Sequence, residues 1–344
     1  MFEGLVLVGL VINPVAGMGG SVGLKGTDGE DIKTEARRRG AVPQAEDRMR
    51  QVLSHLGRIE GLRFLTASGS MGGGLLRSLS MAHVVVHQAS SEPSAADTKA
   101  ACARFLDRGV RLILFAGGDG TARDIMDTVG EKVPVIGVPS GVKMHSAVFA
   151  NTPRDAASLL FKYLTEGLPL RRSEVMDIDE EAFRAGRLSA RLYGHVLMPY
   201  ERALVQPIKG DYEGTDVEAE KESIAAYVAD EMRPDVLYIL GPGTTMECVA
   251  KRIGVAKTLL GVDAVYDGRV VAVDASETVL LDLLERYPQA KVFVTPIGAQ
   301  GFILGRGNQQ ISSKVVRKVG LGNLVVLAAP TKLRETKVLR VDTG

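Results

Sequence analysis

The chain has 344 residues, 45% hydrophobic and 24% charged, with 42 Lys and Arg against 41 Asp and Glu for a net charge of +1. That balance gives no electrostatic reason to expect nucleic acid or an anionic membrane as a partner. The length suits roughly two domains, and two distant cysteines, Cys102 and Cys248, exclude a disulfide scaffold and fit a reducing compartment.

In chain order, Phe2 to Ile12 is an apolar run without the basic start of a signal peptide and too short to span a bilayer. It reads as a first buried strand of a soluble, cytoplasmic protein. Pro14 stops it within Asn13-Pro14-Val15-Ala16-Gly17-Met18-Gly19-Gly20, and a glycine loop runs on to Gly29. No helix start follows these glycines directly, which disfavours a dinucleotide-binding fingerprint. The spacing predicts a helix over 44–56 with Gly57 as its C-cap, then strands at 62–66 and 83–87. Between those strands lie a second glycine loop, 69–74, and a helix from Leu75. His83 and His87 sit at strand ends with no third metal-type residue beside them, and are read as structural. A helix over 94–109 carries Cys102 as a core residue.

The most informative stretch is Leu112-Ile113-Leu114-Phe115-Ala116-Gly117-Gly118-Asp119-Gly120-Thr121. An apolar strand breaks into glycines around one carboxylate, and helical spacing resumes from Ala122 to Val129. Strand, glycine turn and helix start are the parts of a phosphate site. Asp119 is the odd member, because a fixed negative charge repels phosphate unless a proton or a metal ion intervenes. The competing reading is a tight turn in which Asp119 caps the helix.

A further buried strand, 133–138, opens into Pro139-Ser140-Gly141-Val142-Lys143-Met144-His145-Ser146, where Lys143 can offer positive charge to a transferring phosphoryl group. Beyond Gly167 the texture changes: 173–179 and 188–197 alternate as antiparallel strands with a turn near 185–187. An acidic helix over 218–231 reads as exposed. A strand at 235–240 delivers Gly241-Pro242-Gly243-Thr244-Thr245 to a helix, and Asp267-Gly268 marks a hairpin within 261–273. A helix over 277–286, a strand at 291–295, a Gly/Gln/Arg loop over 296–310 and closing strands at 323–329 and 336–341 complete the chain. The fold class expected is α/β plus β-rich. A doubly wound parallel sheet domain (1–167) precedes a β-rich domain with α/β insertions (168–344), whose final strand is free to return to the first.

The combination of Asn13-Pro14-x-Ala16-Gly17, Gly117-Gly118-Asp119-Gly120-Thr121 and Gly137-Val138-Pro139-Ser140-Gly141-Val142-Lys143 resembles the NAD kinase and diacylglycerol kinase superfamily. Within it, the chain is most similar to the ATP-NAD kinase-type proteins grouped with acetoin-catabolism protein X. Gly241–Thr245 and Gly305-Arg306-Gly307-Asn308-Gln309-Gln310 add to that placement. The resemblance implies an ATP-dependent kinase of NAD that forms NADP with Mg²⁺ or another divalent cation, a site in a cleft between two domains, and a homo-oligomer. It makes Asp119 the catalytic residue facing the acceptor hydroxyl. An ordinary Asp, with a pKa of about 3.9, would orient that hydroxyl and take its proton late.

On the same footing, Asn13, Gly17, Gly117, Gly118, Gly120, Thr121, Ser140, Gly141 and Lys143 are expected to bind nucleotide. Thr244, Thr245, Arg306 and Asn308 are expected at the acceptor, and metal ligands are left unassigned. The family's Asn-Glu pair, which holds the adenosine ribose, has no counterpart anywhere in the chain. Another alcohol (a lipid, a sphingoid base or a small metabolite) therefore stands as an alternative acceptor, beside a nucleotide-binding regulatory protein without catalysis. No basic amphipathic helix supports a lipid acceptor.

Overall fold

The computed structural model describes residues 4–18, 34–36, 38–140, 144–178, 190–201, 204–205, 215–297, 301–305, 307–336 and 338–342. Its contacts divide the chain into two compact units: Met1–Met18, Val42–Glu180 and Leu188–Ile208 form one, and Gly19–Ala41, Glu181–Arg187 and Lys209–Gly344 the other.

The first unit runs β1 (Val6–Ile12), α1 (Ala45–His55), β2 (Leu62–Ala67), α2 (Gly73–Ser78), β3 (His83–His87), α3 (Ala95–Asp107), β4 (Leu112–Gly117), α4 (Asp119–Val129), β5 (Val135–Pro139), α5 (Pro153–Glu166), β6 (Leu170–Ile178) and β7 (Ala190–Pro199). The first five strands make one parallel sheet in the order β3-β2-β1-β4-β5. Strand order reverses between β1 and β4, where open α/β sheets bind their ligands.

Val8, Leu10 and Ile12 of β1 point to one face and pack with Met49 and Val52 of α1 and Leu159 and Leu160 of α5. Val11 faces the other way, with Phe105 of α3 and Ile125 of α4. Period-two alternation thus supplies two apolar faces, and helices cover both. The antiparallel pair β6–β7 adds Val175 and Val196 to the second of these cores. The division expected after Gly167 falls ahead of this hairpin, which the contacts group with the first unit. Alternation along β6 and β7 marks them as strands, but not which core they would join. At α1 the helix ends on Leu56 in an extended conformation, so Gly57 is not the cap that the sequence predicts.

The second unit contains α6 (Thr215–Glu231), β8 (Leu237–Leu240), α7 (Thr244–Arg252), β9 (Asp263–Tyr266), β10 (Arg269–Ala272), α8 (Glu277–Arg286), β11 (Ala290–Val294), β12 (Phe302–Leu304), α9 (Ser313–Val319), β13 (Leu324–Val326), α10 (Pro330–Glu335) and β14 (Arg340–Val341). Its main sheet is mixed, in the order β10-β9-β8-β11-β13, with β8, β11 and β13 parallel. The predicted hairpin is present: Asp267 and Gly268 both have positive φ at the turn between β9 and β10. The final strand β14 pairs with β12. Helix α6 is not the exposed helix expected, since Ala225 and Val228 are buried in a core shared with Met246 and Val249 of α7. Among the described residues no helix is long and apolar enough to cross a membrane.

Candidate functional site

The parallel register places the C-terminal ends of three neighbouring strands at one level: Ile12 lies opposite Ala116, and Gly117 opposite Pro139. The loops that leave these strands are bonded to one another. Asn13 N–H donates to the Ala116 carbonyl at 2.9 Å, and the Asn13 side-chain amide donates to Thr121 Oγ1 at 3.0 Å. The Asn13 carbonyl oxygen of the side chain accepts from Val15 N–H at 3.2 Å, shaping the turn before Gly17. Ser140 N–H donates to the Gly117 carbonyl at 3.1 Å.

Two glycines are required by this packing. Gly17 has φ +81°, and a Cβ there would lie 2.0 Å from the Ser140 carbonyl oxygen, so the first and third loops touch only because position 17 has no side chain. A Cβ on Gly117 would lie 2.5 Å from Thr121 Oγ1, which folds back over the strand end. Part of the glycine content of 117–121 thus serves close packing against Asn13 and Thr121, besides any exposure of backbone to a ligand.

Asp119 occupies the first turn of α4, where an acid is favoured by about 0.3–1 kcal/mol. Its carboxylate does not cap that helix. Oδ2 accepts the N–H of His145 at 2.8 Å and Oδ1 the N–H of Ser146 at 2.9 Å, and the residue is only 9% exposed. The sequence singles out Lys143 in this loop; beyond it, the backbone N–H groups of His145 and Ser146 also reach Asp119. Backbone donors carry no residue signature, so only the three-dimensional return of the loop could show them. Gly141 and Lys143 lie outside the described residues. Ser140 is buried, with its hydroxyl donating to the Val138 carbonyl at 3.2 Å.

In the second unit the loop after β8 is shaped in the same manner. Gly241 N–H donates to the Phe293 carbonyl at 2.8 Å, and Gly243, with φ +113°, donates to the Leu259 carbonyl at 2.8 Å. Thr244 is exposed at the start of α7, and Thr245 is buried. Leu259 belongs to a loop held by the buried Lys257, whose Nζ donates to the carbonyls of Thr258 (2.7 Å) and Gly261 (3.1 Å) and pairs with Asp263 at 3.2 Å. Burial pushes the Lys257 ammonium below the usual lysine range, opposed by Asp263.

Asn308 is fully buried and braces its own loop: its Oδ1 accepts Gly305 N–H at 2.9 Å and its Nδ2 donates to the Ile303 carbonyl at 2.9 Å. Arg306 lies outside the described residues.

At the same edge as the three loops, β3 ends in His87, whose Nε2 lies 3.0 Å from Asp97 Oδ1. Asp97 also accepts from Ser90 and Ser94, forming the capping box of α3. Through Asp97, His87 is tied to the N-terminus of α3. Both thiols are buried; desolvation raises Cys102 to about 12 and, with Glu222 beside it, Cys248 to about 11.

Against known proteins, the family model of the ATP-NAD kinase N-terminal domain matches residues 8–168, and that of the ATP-NAD kinase C-terminal domain matches residues 233–344. No curated protein and no solved structure matches the chain.

Proposed function

We propose, on the premise that the chain belongs to the ATP-NAD kinase family, that it transfers the γ-phosphoryl group of ATP to the 2′-hydroxyl of the adenosine ribose of NAD. The observation that carries this reading is the bonding of the Asn13–Gly17, Gly117–Thr121 and Pro139–Ser140 loops around Asp119, at the point where strand order reverses. In the reaction the ribose oxygen forms a bond to the γ-phosphorus while the bond to the β-phosphate bridging oxygen breaks. ADP leaves with that electron pair, and the hydroxyl proton passes to Asp119 or, through it, to water.

Phosphoryl transfer depends mostly on positioning and electrostatics. Asp119 accepts two backbone N–H groups, which fix its carboxylate where it can orient the acceptor hydroxyl. Asn13 and Thr121 bind each other, so their contribution is to hold the nucleotide loops in register. Mg²⁺ supplies charge neutralisation on the phosphate oxygens when bound. Asp119 would be the carboxylate of this site available to such an ion, the phosphate oxygens supplying further ligands.

A second reading keeps the transfer and changes the acceptor to another alcohol. The chain lacks the Asn-Glu pair, and the side chain of Asn308 is engaged within its own loop. Incubation with ATP, Mg²⁺ and NAD, with NADP read by an NADP-specific dehydrogenase, separates the two. NADP formation supports the first reading; transfer only to a lipid, a sphingoid base or another metabolite alcohol in a parallel panel replaces it with the second.

A further inference from the structure

The reading of Asp119 above leaves open what aims its carboxylate, and the contacts of Ser146 answer that. Ser146 is 1% exposed. Its N–H donates to Asp119 Oδ1 at 2.9 Å, while its hydroxyl accepts the N–H of Met176, on β6, at 2.9 Å. The next residue, Ala147, donates its N–H to the Glu174 carbonyl at 2.8 Å, so the 145–147 corner is docked on β6 by two consecutive residues. β6 is itself held by its long antiparallel pairing with β7. A chain of hydrogen bonds therefore leads from the β6–β7 pair, through the Ser146 hydroxyl and backbone, to one oxygen of Asp119, and His145 N–H holds the other oxygen at 2.8 Å.

We infer that Ser146 is a positioning residue for phosphoryl transfer: its hydroxyl docks the 145–147 corner on β6 so that two backbone N–H groups set the plane of the Asp119 carboxylate. The inference rests on the proposed kinase reading, since it concerns the geometry of that reaction. Rotation of the carboxylate would break these N–H contacts, so this corner restrains the orientation offered to an acceptor hydroxyl. A misplacement of the order of 1 Å at such a group costs up to about 100-fold in rate.

Ser146→Ala keeps the N–H to Asp119 and removes only the acceptor for Met176 N–H. It is expected to lower kcat about tenfold with KM for ATP and NAD within about threefold of wild type, the split of an interaction felt in the transition state. Amide hydrogen exchange at residues 144–147 is expected to quicken in the same variant, and also in Asp119→Ala. Ser146→Cys, which keeps a side-chain acceptor of weaker strength, is expected to fall between wild type and Ser146→Ala, and serves if the alanine variant does not fold. Wild-type kcat in Ser146→Ala, or in Ser146→Cys where that variant stands in, overturns the positioning role. Unchanged exchange at 144–147 overturns the docking itself. Failure of the functional reading looks different: the wild-type protein then turns over no acceptor, while Asp119→Ala still quickens exchange at 145 and 146.

Discussion

Position 17 carries a demand that no other residue type can meet, because both its positive φ and its approach to the Ser140 carbonyl exclude a Cβ. Gly17→Ala is expected to separate the first and third loops. It should cost more than the ~1 kcal/mol typical of a point substitution and weaken ATP binding, as checked by denaturant unfolding and calorimetry. The same change at Gly130, where a Cβ meets nothing within 4 Å, is the control for conformational strain alone, since its φ is also positive.

Asp97 makes a pH-dependent contribution. The bond from His87, helped by Ser90 and Ser94, holds its carboxyl well below the usual range. With a folded pKa lower than the unfolded one, the stabilisation is present above about pH 4 and is lost as pH falls toward the folded value. Asp97→Asn should therefore cost about 1–2 kcal/mol at pH 7, and the gap to wild type should narrow in acid-unfolding curves below pH 4. Cys102 and Cys248, both raised by desolvation, should react with a thiol reagent far more slowly in the native protein than in denaturant.

At the scale of elements, strands proved the most legible. Val6–Ile12, His83–His87 and the Asp267-Gly268 hairpin all stand where period and turn chemistry place them. Elements whose identity depends on what they touch were less so. Helix α6 reads as exposed because its first half is dense in acidic residues, yet Ala225 and Val228 in its second half bury one side against α7. Helices Ser313–Val319 and Pro330–Glu335 are too short for a periodic signal. Asn308 shows the limit at the site: an amide in a glycine loop can brace it or bind a ligand, and only the Gly305 and Ile303 contacts distinguish the two. The Asp119 motif was legible because strand, glycines and carboxylate are all residue types, whereas its two backbone donors are not.

One element-scale prediction concerns the loop behind Gly243. Lys257→Met leaves Asp263 buried without its cation and removes the bonds that close 258–261, so it should destabilise the protein by about 3–5 kcal/mol. Calorimetric unfolding of Lys257→Met beside the double variant Lys257→Met/Asp263→Leu checks the cause. The double variant should recover much of the loss, because no unpaired charge remains.

For the whole molecule, the two units each present a strand-end loop leading into a helix: Gly117–Thr121 after β4 and Gly241–Thr245 after β8. The ATP-NAD kinase N-terminal domain match, 8–168, contains the first of these loops, and the C-terminal domain match, 233–344, contains the second. The central claim is that the buried, doubly held carboxylate of the first loop serves the transfer itself. Turnover of Asp119→Asn at saturating ATP, Mg²⁺ and NAD, measured beside its ATP affinity, tests that claim most directly. A loss of at least about 100-fold, roughly 3 kcal/mol of transition-state stabilisation, is expected with ATP still bound. Turnover within about twofold of wild type would contradict it.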